Sequence, residues 1–152
     1  MNHPLPPITL TCKDFERLQR LAYAAATQSP QTADYLAREV DRARILQPHQ
    51  KAQGLVRMGS QVDFRDNDTA RVRRVTLVYP EQADITVGKI SVLTPIGAAL
   101  IGLSQGQTIS WQSPAGDWRS LTVLAVDLPG GVEKRPQARA KQRDFTSIIS
   151  PA

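Results

Sequence analysis

The chain has 152 residues, of which 41% are hydrophobic and 22% are charged. This length suits one compact domain with an appendage and excludes two large domains, because a single core stops growing only beyond about 250–300 residues. The net charge is +5, and residues 129–152 alone hold five basic and two acidic side chains. The rest of the chain is nearly balanced in charge, which argues against a basic DNA-reading face on a folded domain.

Cysteine, histidine and hydropathy patterns indicate a chain without metal, cofactor or membrane span. Cys12 is the only cysteine, so no internal disulfide can form, and the spacing of His3 and His49 from it matches no common zinc motif. No apolar run approaches the ~20 residues that a membrane-spanning helix needs. We therefore expect a cytoplasmic protein with neither metal nor cofactor.

Residues 8–48 predict a short antiparallel helical hairpin, of the coiled-coil kind. The first helix is expected over residues 12–26, with Thr11 and Asp14 as a capping box. The second is expected over residues 31–46, with Ser29 as N-cap and Pro30 at the first helical position. Each helix then has about 15 residues, so the arm should be about 22 Å long at 1.5 Å per residue. The apolar seam consists of Phe15, Leu18, Leu21, Ala22 and Ala25 against Ala33, Leu36, Val40 and Ala43.

Residues 54–128 change to short alternating strands separated by turn residues. A hairpin is predicted from residues 61–65 and 71–79, and two further strands from residues 85–87 and 89–93. One short helix follows over residues 95–103, and then come strands at residues 108–111 and 121–126. The fold class is therefore α+β, with about five antiparallel strands around one short helix.

Residues 129–152 form a tail that begins with Pro129, Gly130 and Gly131 and is rich in charge, Ala and Gln. Its composition lacks apolar periodicity and is typical of a disordered segment. Only Phe145–Ile149 is apolar enough to dock on another surface. The positive charge of this tail suggests nucleic acid as a partner that it contacts weakly.

Two segments carry a resemblance to a known family. Residues 90–103 read Ile-Ser-Val-Leu-Thr-Pro-Ile-Gly-Ala-Ala-Leu-Ile-Gly-Leu, which is similar to the signature of the Gre-factor C-terminal domain. Residues 73–80 read Arg-Arg-Val-Thr-Leu-Val-Tyr-Pro and resemble the equivalent strand in the family of the regulator of nucleoside diphosphate kinase. The chain resembles that family over residues 8–127.

The resemblance implies a helical hairpin on an FKBP-like domain that docks on bacterial RNA polymerase near its secondary channel. In Gre factors, acidic residues at the hairpin tip hold a Mg²⁺ ion that activates water to cleave backtracked RNA. The tip of this chain, residues 26–32, contains no acidic residue. The nearest one, Asp34, is expected to favour the positive end of the second helix. The resemblance therefore implies a polymerase-binding regulator of elongation that is not an enzyme.

Two groups of residues are the candidate polymerase contacts. Gln28, Ser29 and Gln31 lie at the predicted hairpin tip. Ser91, Thr94 and Pro95 lie at the predicted corner between a strand and the short helix. Thr94 and Pro95 are expected to serve the fold first, as N-cap and first helical residue.

Two alternatives remain open at this stage. Nucleic acid could bind to Arg71, Arg73 and Arg74 together with the tail, although Arg74 should face away from the other two on a strand. An FKBP-like fold could also support prolyl isomerisation in an aromatic pocket. The residues available for such a pocket are Phe64, Tyr79, Trp111 and Trp118. A fold alone does not establish that activity.

Overall fold

The computed structural model describes residues 5–113 and 115–127. The predicted tail at residues 129–152, with its Phe145–Ile149 patch, lies outside the described residues. None of the helices in the described part has both the length and the apolar character needed to cross a lipid bilayer.

The hairpin consists of helix α1, Cys12–Ala24, and helix α2, Pro30–Arg42. Each has 13 residues, so the arm is about 20 Å long and both helices end earlier than predicted. Thr11 caps α1 by accepting a hydrogen bond from the Asp14 backbone N–H at 3.1 Å. Ser29 is the N-cap residue of α2 and Pro30 begins the helix, as predicted, but the Ser29 side chain makes no capping hydrogen bond.

A two-stranded parallel sheet, which is absent from the predicted elements, closes the base of the arm. Strand β1, Thr9–Leu10, pairs with strand β2, Arg44–Ile45. The pairing explains why α2 stops at Arg42, since the following residues are extended. The Thr9 N–H also donates to the Gly102 carbonyl at 3.0 Å. The base of the arm is thereby joined to the second half of the chain.

The second half contains a five-stranded sheet in the order β5-β4-β3-β7-β6. The bounds are Gln61–Asp66 for β3, Arg71–Val78 for β4, Lys89–Ser91 for β5, Thr108–Gln112 for β6 and Trp118–Asp127 for β7. Strand β3 pairs antiparallel with both β4 and β7, and β6 pairs antiparallel with β7. The prediction of an entirely antiparallel sheet is wrong for β5, which runs parallel to β4.

The connection from β4 to β5 explains this difference. Two short 3₁₀ helices, Pro80–Gln82 and Ile85–Val87, carry the chain back along the sheet. Residues 85–87, predicted as a strand, therefore form one of these helices. Because the chain returns to the level of Thr76 before β5 begins, β5 runs beside the last residues of β4 in the same direction.

Helix α3, Pro95–Leu100, follows β5 and is shorter than the predicted span of residues 95–103. Its start matches the prediction, since the Thr94 hydroxyl accepts from the Gly97 N–H at 3.1 Å and Pro95 occupies the first turn. Gly102 adopts a left-handed backbone conformation after the helix, with φ of +82°. A Cβ at that position would lie 3.0 Å from the Ile8 Cβ.

One hydrophobic core joins the arm to the sheet. Leu18 and Leu36 of the hairpin belong to the same buried cluster as Phe64, Leu100 and Val123. A polar contact adds to it, because the Asp14 carboxylate accepts a hydrogen bond from the Met58 backbone N–H at 3.0 Å. Asp14 therefore does not complete the predicted capping box; its side chain is used to hold the arm on the sheet domain.

Candidate protein-binding site

The corner between β5 and α3 holds three of the residues selected from the sequence. The Ser91 hydroxyl accepts from the Leu93 N–H at 2.9 Å, and the Thr94 hydroxyl donates to the Ser91 carbonyl at 2.7 Å. Pro95 is exposed, Thr94 is half-buried and Ser91 is 8% exposed. The two hydroxyl groups thus shape the corner, and Pro95 presents its ring to solvent.

Ser91, Thr94 and Pro95 line one cavity of about 520 Å³, which we call the corner cavity. It opens between the sheet, helix α3 and the loop before β5. The apolar side chains of its wall are Phe64, Val75, Ile85, Ile90, Ile96 and Trp111. A cavity of this size and apolar character is typical of a binding site for a small molecule or for one anchoring side chain of a protein.

Three cations line the same cavity: Arg73, Lys89 and Arg119. The Arg73 guanidinium lies over the Phe64 ring at 5.8 Å from its centroid. Arg119 is paired with Asp66 at 3.2 Å and with Asp68 at 3.3 Å. No carboxylate is among the residues that line the corner cavity within the described part of the chain. The cavity therefore combines an apolar wall with a positive rim.

The loop of residues 84–89 forms one side of this rim. Ile85 and Val87 are 78% and 63% exposed, although the loop itself is well held. The Asp84 carboxylate accepts from the Thr86 hydroxyl at 2.6 Å and from the Thr86 N–H at 3.1 Å. These hydrogen bonds, the hydroxyl first, lower the pKa of Asp84.

The backbone completes the closure of this loop. The Asp84 and Lys89 N–H groups each donate to the other residue's carbonyl, at 2.9 and 3.0 Å. Two large aliphatic side chains are thus displayed to solvent on an ordered loop, a pattern typical of an interaction surface. This surface is not apparent from the sequence, because residues 85–87 are predicted to form a strand in which Ile85 and Val87 lie on one face.

The hairpin tip is the other predicted contact region. Gln28, Ser29 and Gln31 are all exposed there. Asp34 does not lie in the first turn of α2; its carboxylate pairs with Arg38 at 2.7 Å across one helical turn. Across the described residues, no group of three or more His, Cys, Asp or Glu side chains is placed to hold a metal ion. The tip therefore does not fit the Mg²⁺ site of a cleavage factor.

Gln31 and Pro95 approach each other across a second space of about 520 Å³, the interdomain cleft, which Tyr35, Trp111 and Trp118 also line. Burial, followed by the nearby Glu39 carboxylate, raises the pKa of Tyr35. The structure thus groups Gln31 with the corner residue Pro95. Gln28 and Ser29 line neither this cleft nor the corner cavity.

The strand arginines do not form one basic patch. Arg73 is opposite Phe64 and Arg74 is opposite Asp63 in the β3–β4 register, so they face opposite sides of the sheet. Arg74 is neutralised by a bidentate pair with Asp63 at 2.7 and 3.0 Å. This arrangement weakens the nucleic-acid alternative for the folded part.

The four aromatic residues considered for an isomerase pocket are also dispersed. Phe64 and Trp111 line the corner cavity, and Trp111 also lines the interdomain cleft together with Trp118. The Tyr79 ring lies under the Arg17 guanidinium of α1, at 4.6 Å. The FKBP-like description of the domain stays a prediction.

Comparison with known proteins identifies two family segments. Residues 50–128 match the family described as transcription elongation factor, GreA/GreB, C-term, and residues 6–46 match the family described as Rnk N-terminus. The regulator of nucleoside diphosphate kinase of Escherichia coli (strain K12) is 37% identical over 122 residues, which cover 80% of this chain and 90% of that protein. The transcription elongation factor GreA of Syntrophobacter fumaroxidans is 36% identical over 91 residues, or 60% of this chain and 58% of that protein.

A solved structure agrees with these relationships. The prokaryotic transcription elongation factor GreA/GreB from Nitrosomonas europaea superimposes with a TM-score of 0.60 and 37% identity, covering 80% of this chain and 98% of that chain. The mixed α+β fold with its curled sheet is therefore the fold of the GreA/GreB C-terminal domain.

Proposed function

This chain belongs to the family that unites the regulator of nucleoside diphosphate kinase with the GreA/GreB elongation factors, and we propose that it binds bacterial RNA polymerase. It is a regulator of the transcription elongation factor type. In our proposal it docks near the secondary channel, modulates elongation and has no enzymatic activity of its own. The observation that carries the proposal is the corner cavity beside the exposed loop of residues 84–89.

The corner cavity supports a protein partner because its apolar wall includes the exposed Ile85, which lies on a loop held by hydrogen bonds. A rigid loop needs little ordering on association, so less of the binding free energy is lost to conformational entropy. Ile85 lines the cavity and is also largely exposed. One anchoring side chain of the partner would therefore fill the cavity and bury Ile85 at the same time.

The tip and the length of the arm support the part of the proposal that denies the chain transcript-cleavage activity. A Mg²⁺ site needs oxygen ligands, above all carboxylates, and the residues at the tip offer none. Helices of 13 residues also limit the reach of the arm to about 20 Å. Prolyl isomerisation is not proposed either, because neither the corner cavity nor the interdomain cleft is lined by all four aromatic candidates.

The first prediction tests binding at the loop. Ile85→Ser should weaken association with core RNA polymerase by at least about tenfold, since burial of one isoleucine contributes about 1.5–3 kcal/mol. Binding is measured by native-gel mixing or biolayer interferometry with purified core enzyme. No association of the unchanged chain at micromolar concentration would refute the proposed function.

Val72→Ser is the matched control for that experiment. Val72 is 61% exposed and alternates with Arg73, so its side chain lies on the opposite side of the sheet from the corner cavity. We expect its affinity to stay within about twofold of the unchanged chain. Equal losses in both variants would show that the effect does not come from the corner cavity.

The second prediction tests the absence of cleavage. The chain should bind a stalled, backtracked transcription complex without stimulating RNA cleavage, and it should reduce cleavage by an added Gre factor that competes for the same region. A double variant, Gln28→Asp with Gln31→Glu, should restore little activity because the arm is too short. Release of cleaved RNA by the unchanged chain would overturn the non-catalytic assignment, and strong rescue would refute the argument from arm length.

A further inference from the structure

The chemistry of the corner cavity indicates what kind of segment it accepts. We propose that it receives a segment of the partner protein in which an apolar side chain is flanked by carboxylates. This inference rests on the proposed function and specifies the partner surface. The apolar side chain would enter the cavity, and the carboxylates would contact the cationic rim.

The charge of the rim is only partly neutralised by the chain itself. Within the described residues, neither Arg73 nor Lys89 forms an ion pair, whereas Arg119 is paired with Asp66 and Asp68. Lys89 lies near enough to Asp84 to contribute to the lowered pKa of that carboxyl, but Asp84 is committed to Thr86 through two hydrogen bonds. Two cations are therefore available to an incoming anionic group.

The position of these cations favours carboxylates over a free anion. They surround an apolar cavity rather than forming a polar cradle, so a ligand without an apolar part would leave Ile90 and Ile96 uncovered. Charged groups at the rim of an apolar contact guide association and determine which partners are accepted. A segment with a carboxylate on each side of an apolar anchor would cover the apolar wall and also contact the cations at the rim.

A nucleic acid fits this surface less well. Stacking of bases requires open aromatic faces, but Phe64 is 1% exposed and Trp111 packs against the hydrophobic core. Binding to a phosphate backbone also requires a row of cations, and the register places Arg74 on the other side of the sheet, paired with Asp63. An acidic, apolar protein segment therefore agrees with more of the observed surface.

Charge reversal at the rim tests the inference. Arg73→Glu and Lys89→Glu are each expected to weaken binding of the full chain to core RNA polymerase by about tenfold or more at low salt, with a smaller loss at high salt. Both residues are exposed. Among the described residues Arg73, but not Lys89, forms a cation–π pair, so the Lys89 variant keeps the packing of Arg73 on Phe64. The thermal midpoint of each variant is measured to confirm folding.

Arg65→Glu is the matched control, because it makes the same change in net charge on the opposite side of the sheet from Phe64. Its affinity should remain within about twofold of the unchanged chain. If the unchanged chain binds polymerase and Lys89→Glu binds equally well, the inference is wrong while the proposed function stands. If the unchanged chain does not bind polymerase, the proposed function is refuted, and the inference that rests on it is refuted with it. If the charge-reversal variants lose binding to single-stranded RNA but keep binding to polymerase, the inference is also wrong.

Discussion

Gly97→Ala is expected to unfold the chain or to lower its stability by at least about 3 kcal/mol, at the upper end of overpacking effects. A Cβ on Gly97 would lie 2.1 Å from the Ser91 carbonyl oxygen and 2.9 Å from the Ser91 carbonyl carbon and the Val92 Cα. These are backbone atoms at the joint of β5 and α3, so they cannot move aside as the end of a flexible side chain can. The measurement is the midpoint of thermal or urea unfolding, which should fall by roughly 10 °C or more in the thermal case.

Gly106→Ala is the control for this prediction. Gly106 has φ of +93° and no atom within 4 Å of an added Cβ. The substitution therefore carries only the cost of an unfavourable backbone conformation, about 1–2 kcal/mol. If Gly97→Ala is no more destabilising than Gly106→Ala, the close approach of α3 to Ser91 does not limit the fold.

Arg42→Met is expected to cost about 3–5 kcal/mol, because it leaves a buried carboxylate without its partner. The Glu39 side chain is 1% exposed and is held by a bidentate pair from Arg42 at 2.8 and 3.0 Å. A further Arg42 N–H donates to the Pro6 carbonyl, so the substitution also loosens the segment that leads into β1. Unfolding by urea, with a linear extrapolation to water, measures the loss.

Two comparison variants interpret that result. Arg38→Met breaks the Asp34–Arg38 pair on the same helix, whose side chains are 59% and 75% exposed, and should cost less than about 0.5 kcal/mol. Adding Glu39→Gln to Arg42→Met removes the buried charge and should recover part of the stability. Equal effects of Arg42→Met and Arg38→Met would refute the role given to burial.

Both predictions concern the way in which the arm and the sheet domain form one unit. Arg42 stabilises the base of the arm, where β1 and β2 pair, and Gly97 lets α3 lie close to β5. Helix α2 in turn packs against α3. The position of the hairpin tip relative to the corner cavity is therefore set by packed contacts, which is the rigidity that the proposed docking requires.

Local patterns in the sequence were sufficient for much of the architecture. The helical hairpin and the Thr94–Pro95 start of α3 both depend on residues within a few positions of one another. Capping, proline geometry and apolar periodicity act over that range. The family resemblance came from residues 90–103 and 73–80, and the comparisons confirm it.

The remaining features depend on residues that are far apart in the chain. The Asp14 carboxylate accepts a hydrogen bond from Met58, which is 44 positions away. Neighbouring residues alone predict a capping box for the same side chain. The β1–β2 pair joins two-residue strands, too short to give a periodic signal, and the parallel direction of β5 follows from the path of the loop before it.

The corner cavity belongs to this second group. Ser91, Thr94 and Pro95 could be selected from the motif alone, but Arg73 and Trp111 join them only when β4 and β6 curl around α3. The exposure of Ile85 likewise depends on the 3₁₀ turn that replaces the predicted strand. The sequence alone therefore determined the local elements and the family, because short-range capping, turn and periodicity rules govern them. The tertiary structure decided the binding surface, because its charges and apolar groups meet only through packing between distant segments.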